Sequence, residues 1–134
     1  MHTWYWNCGW IALLGGVGSV ARYGLTELVE TWFGKAFPYG TMMVNLLGCL
    51  LFGIVWGSCT RGVISEQWRL ILLVGFLGGF TTFSSFAFHN EQMLVQKQWA
   101  AFMLNVLVQN IAGVAAVWVG IVFVEWLLPA AAAQ

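Results

Sequence analysis

Long apolar runs separated by short polar turns organise the chain. The first extends from Cys8 to Phe33 and is closed by the turn-forming residues Gly34, Lys35 and Pro38. A second covers Tyr39 to Cys59, followed by a loop with Arg61, Gly62, Ser65 and Glu66. The third starts at Trp68, ends at Lys97, and is interrupted by Leu77-Gly78-Gly79-Phe80-Thr81-Thr82. The fourth runs from Trp99 to Leu128, leaving a small tail from Pro129 to Gln134. A spanning helix needs about 20 apolar residues. The pattern therefore predicts an all-α membrane protein, a single four-helix transmembrane domain over residues 1–134, with its third helix broken near Gly78–Thr82. Met1 to Trp10 lacks the cationic segment that opens a signal peptide, so the first run is expected to stay attached.

Composition narrows the class. Of 134 residues, 60% are hydrophobic and 7% charged, where soluble domains carry about 25% charged residues. So few charges cannot coat a globule in water. The nine Trp, ten Phe and three Tyr suit headgroup belts. Net charge is zero and the basic residues are scattered, which excludes an electrostatic footprint for nucleic acid. Cys8, Cys49 and Cys59 form no C-x-x-C pair and no cluster with histidine, so they read as small packing residues. Two histidines, His2 and His89, and no aspartate leave no catalytic constellation.

The basic residues near span ends balance. Arg61 and Arg69 fall on one side and Lys35 and Lys97 on the other, a bias of 2 − 2 = 0. Such residues set membrane orientation, so the tie predicts dual topology, with copies inserted both ways round. Two opposed copies would pair about a two-fold axis in the membrane plane, the inverted-repeat architecture of many transporters. A chance tie is the plainer alternative.

Several polar groups fall inside the runs. Arg22 lies past the middle of the first, where a charge costs roughly 2.5–3.5 kcal/mol. It either snorkels to the interface or supplies positive potential for an anion. Asn45 sits about six residues into the second run. Its amide is either a helix–helix hydrogen bond or a donor to a passing anion. Gly53 and Gly57 have the G-x-x-x-G spacing of a packing face. In the third run Gly78-Gly79 and the β-branched pair Thr81-Thr82 favour a break, whose freed carbonyls suit a cation. Phe83 and Phe86, spaced i and i+3, share one helical face, with the hydroxyls of Ser84 and Ser85 between them. An aromatic pair is ordinarily core, but ring edges are positive and can line an anion path.

Three motifs carry a resemblance over about three quarters of the chain: Gly15-Gly16-x-Gly18-x-x-x-Arg22-Tyr23, Phe37-Pro38-x-Gly40-Thr41-x-x-Val44-Asn45-x-x-Gly48, and Gly75-x-x-Gly78-Gly79-Phe80-Thr81-Thr82-Phe83-Ser84-Ser85-Phe86. With them the sequence resembles the Fluc/CrcB family of small bacterial fluoride channels. The resemblance implies an antiparallel, dual-topology homodimer in the inner membrane, with two fluoride pores. It also implies a structural sodium ion held by backbone carbonyls at the positions of Gly78 and Thr81. By the same resemblance Asn45, Phe83, Phe86, Ser84 and Ser85 line the pore, Arg22 supports it or sets vestibule potential, and Gln109 takes the first pore position of the fourth span. Two departures stand out. His89 occupies a position where the family often has an acid, the nearest here being Glu91, and Gly113 and Val117 follow Gln109 where hydroxyl residues are usual. The function implied is passive fluoride export, and no G-x-x-x-x-G-K-[ST] nucleotide loop exists. Two alternatives remain on the residues alone. A proton-coupled multidrug exporter would want a carboxylate deep in the first span, where this chain has Arg22. A membrane scaffold would carry no flux.

Overall fold

The structure, a computed structural model, describes residues 3–128; His2 and the tail from Pro129 to Gln134 lie outside them. The described chain is helical throughout, with short turns. Its elements are α1 (Thr3–Phe33), α2 (Tyr39–Thr60), α3 (Glu66–Leu70), a π-helical segment (Ile71–Leu77), α4 (Gly78–Phe80), α5 (Phe83–Val95) and α6 (Trp99–Leu127). Gly34 and Gly62, in the loops anticipated from sequence, adopt φ +78° and +72°, conformations a side chain disfavours.

Among the described residues, Tyr39–Thr60, Glu66–Val95 and Trp99–Leu127 are long and apolar enough to cross a membrane. The first run gives a helix of 31 residues, about 46 Å at the usual rise. It does not reach the same apolarity, because Arg22, Glu27 and Glu30 fall in its second half. At the loop beyond, Lys35 Nζ pairs with Glu30 Oε2 at 3.2 Å. That hydrogen bond holds the lysine above its ordinary pKa.

Glycines bring the helices together. α2 lies along α6, and α1 lies along the π segment and α4. A Cβ on Gly53 would strike the Val117 carbonyl, and one on Gly120 the Leu50 carbonyl, so α2 and α6 touch backbone to backbone. Gly57 faces Ile121 and Val124 one turn on. The G-x-x-x-G pair is therefore a packing face against α6. Val44, Leu77 and Phe80 form the buried core, with Ala21, Leu25 and Leu47 packed against it. Gly53→Leu should lower the unfolding midpoint in detergent by an amount corresponding to about 1–3 kcal/mol of overpacking. Gly9→Leu, where nothing lies within 4 Å of an added Cβ, should leave it unchanged.

The break falls later than the glycines suggest. Gly78 and Gly79 are helical, and the chain becomes extended only at Thr81 (φ −84°, ψ 160°) and Thr82 (φ −149°, ψ 112°). Gly79 is needed for contact: a Cβ there would overlap the Gly15 carbonyl on α1. Thr82 then caps α5, its Oγ1 accepting from Ser85 N at 3.2 Å.

Candidate functional site

Two adjacent helices hold the break by its backbone. From α2, Asn45 Oδ1 accepts from Thr82 N at 2.9 Å, and Asn45 Nδ2 donates to Thr82 O at 3.1 Å. From α1, Arg22 Nη1 donates to Thr81 O at 3.3 Å, and Ser19 Oγ donates to Gly79 O at 3.5 Å. The β-branched pair leaves the helix where these side chains replace the intrahelical bonds. Thr82 N, the ordinary i+4 donor to the Gly78 carbonyl, is spent on Asn45, so that carbonyl is released from the helical ladder.

A cleft of about 470 Å³ opens beside the break. Asn45, Gly78, Thr81, Thr82, Phe83, Phe86 and Gln109 line it, with Gly48 and Cys49 from α2 and Asn110 from α6. Six of the sequence-derived candidates therefore stand together: Asn45, Phe83, Phe86, Gln109, Gly78 and Thr81. The two phenyl rings are 5.6 Å apart at centroid and tilted by 43°. Phe83 is 79% exposed, so the cleft has one unfinished wall.

Three candidates stand off the cleft. Arg22 turns its guanidinium to the Thr81 carbonyl. Ser85 accepts from Thr82 Oγ1 at 3.0 Å, and Ser84 Oγ lies 3.3 Å from the same hydroxyl. Both serines thus serve the cap in this arrangement. The amide protons of Asn45 are likewise engaged, one by Thr82 O and the other by Gln109 Oε1 at 2.8 Å. Gly113 faces the Cys49 sulfur, and Val117 gives the Gly53 contact and edges the cleft.

Sequence reasoning missed Asn90 and Asn105. Gln109 Nε2 donates to Asn105 Oδ1, and Asn105 Nδ2 to Asn90 Oδ1, each at 2.8 Å. Asn105 lies four residues before Gln109, one turn away on the same face. That spacing was the available signal.

Long apolar helices, one of them broken within its apolar run beside a cleft into which a few amides and hydroxyls project, define a multi-helix membrane protein. Residues 9–121 match the family model described as "CrcB-like protein, Camphor Resistance (CrcB)". The chain belongs to this CrcB-like family. It is 45% identical over 112 residues to a protein of Nitratidesulfovibrio vulgaris (strain DSM 19637 / Miyazaki F) named "Fluoride-specific ion channel FluC", covering 83% of this chain and 90% of that one. A protein of the same name from Nitrosococcus oceani is 44% identical over 112 residues, with the same coverage. Another from Geobacter sp. (strain M21) is 42% identical over 113 residues, covering 84% of this chain and 91% of its own.

Proposed function

We propose that this protein is a fluoride-selective channel of the bacterial inner membrane, a multi-pass protein that lets cytosolic fluoride leave passively. The observation that carries this reading is the similarity, at 42–45% identity over more than four fifths of the chain, to proteins named as fluoride-specific channels. The cleft beside the break supports the reading. Stripping an isolated ion of water costs tens of kcal/mol, while a hydrogen bond to a charged partner returns about 1.5–3 kcal/mol. Several weak donors in a row therefore suit a strongly hydrated anion that must also be released. The spare amide proton of Gln109 and the edges of Phe83 and Phe86 are such donors.

In this reading α1 crosses the bilayer as a fourth span, with Arg22 satisfied by the Thr81 carbonyl rather than by lipid headgroups. The functional unit is an antiparallel homodimer with two pores. The exposed Phe83, Gly78 and Asn110 at the open side of the cleft support a second copy as its missing wall. A structural sodium ion fits the donor chemistry at the break. The Gly78 carbonyl lacks its helical donor, and the Thr81 carbonyl accepts only the long Arg22 bond among side chains. Hard carbonyl oxygens of this kind, duplicated by a second copy, would hold a hard cation; bound there, the ion would neutralise converging dipoles and fasten the copies together.

The exporter alternative finds less support. Glu27 and Glu30 lie near the end of α1, and Glu30 is engaged by Lys35. The deep charge remains Arg22, the wrong sign for a cationic drug. Proteoliposomes loaded with potassium fluoride distinguish the readings. Valinomycin-dependent fluoride release, followed with a fluoride electrode, is the expected result. Retention of fluoride, or proton-driven cation exchange in its place, would overturn the channel.

A further inference from the structure

The amides beyond Asn45 form a one-way chain. Asn45 Nδ2 donates to Gln109 Oε1, Gln109 Nε2 to Asn105 Oδ1, and Asn105 Nδ2 to Asn90 Oδ1, all at 2.8 Å. The backbone decides the direction. An N–H only donates and a carbonyl only accepts, so Thr82 N and Thr82 O, at 2.9 and 3.1 Å, dictate which end of the Asn45 amide faces which. Gln109 must then present its oxygen to Asn45 and its NH₂ group to Asn105.

An amide nitrogen carries two protons. Both protons of Asn45 are committed within the chain. Gln109 gives one to Asn105, and its other has no partner among the described residues, on a side chain that lines the cleft. Asn105 has no exposed surface and Asn90 only 7%, and neither lines the cleft. We infer that Asn105 and Asn90 are positioning residues for anion passage: they hold Gln109 with its oxygen turned to Asn45 and a spare N–H free for the ion. Released from Asn105, Gln109 can rotate and present a carbonyl oxygen, which repels an anion. The inference rests on the fluoride-channel reading.

Two substitutions at Asn105 test it by fluoride release from proteoliposomes, each relative to wild type at the same pH. Asn105→Leu keeps the branched shape at a somewhat larger volume and removes every side-chain hydrogen bond. It should elute as the wild-type assembly and conduct at least tenfold more slowly. Asn105→Asp introduces a carboxyl that burial keeps neutral. A neutral carboxyl accepts from Gln109 through its carbonyl and donates its O–H to Asn90, preserving the chain. It should conduct near the wild-type rate at pH 6 and at least tenfold more slowly at pH 9, where it ionises.

Few native charges intrude on that titration. α2 contains no Lys, Arg, Asp, Glu or His, and α6 contains only Glu125, twenty residues past Asn105. On α5, His89 lies against the Phe88 ring and Glu91 is exposed and bonded to Gln92. A folded Asn105→Leu that conducts like wild type would overturn the inference. So would a flat Asn105→Asp profile at any level, which also decides the matter if the leucine variant fails to assemble. A wild type that retains fluoride would sink the channel reading as well, whereas unaltered variants beside a conducting wild type would sink this inference alone.

Discussion

Replacing Phe83 or Phe86 by isoleucine should cut fluoride release from proteoliposomes at least tenfold, and the double replacement should bring it to the level of protein-free vesicles. Isoleucine keeps an apolar side chain but has no ring, so it deletes the positive edge that a bare anion can approach. The two rings sit 5.6 Å apart in the cleft, close enough for an ion to pass from one edge to the next. Phe83 contributes little to the core, being 79% exposed, and isoleucine leaves an apolar side chain for a second copy to pack against, so its replacement should leave elution from a sizing column unchanged. Normal flux through both single variants would show that the rings only fill space. Flux lost together with the assembly would show that they are glue.

Asn45→Asp should be the most damaging single polar change, lowering flux by about a hundredfold at pH 8. The carboxylate can still accept from Thr82 N. Its second oxygen, however, would confront Thr82 O and Gln109 Oε1, both of which now accept from Asn45 Nδ2. Gln109 can turn over; a backbone carbonyl cannot. Two hydrogen bonds of about 1–1.5 kcal/mol each amount to roughly a hundredfold at 1.4 kcal/mol per factor of ten, and the added negative charge opposes an anion further. Electrode traces of the variant beside wild type check this directly. Undiminished release would remove Asn45 from the path and leave it only a clamp on the break.

Much of this layout is readable from one sequence, for a physical reason. Lipid-crossing segments are written in composition, so the run ends at Phe33, Tyr39 and Trp99 coincide with helix ends. The break is legible because Gly-Gly followed by Thr-Thr is a poor helix interior. It falls at the Thr-Thr end of the segment the sequence marks, since glycine signals both bending and close packing. Gly79 serves the second, against Gly15, and only the neighbouring helix reveals it. Asn45 and Gln109 are conspicuous as amides in apolar runs. What they bond to is not, because Asn45 bonds Thr82, 37 residues on, and Gln109, 64 residues on. The roles of Ser84, Ser85 and Arg22 were hidden likewise, since Arg22 answers to the Thr81 carbonyl and both serines to the Thr82 hydroxyl, groups so placed only because the chain leaves the helix there. Asn90 and Asn105 escaped notice because each, taken singly, is an ordinary polar residue near a turn.

The manner in which the break is held bears on biosynthesis. An extended peptide step is costly to place in hydrocarbon by itself, yet its two clamps, Arg22 and Asn45, both precede Thr82 in the chain. The ribosome therefore delivers the irregular segment to a bilayer in which its hydrogen-bonding hosts have already been threaded, and only Gln109 arrives afterwards.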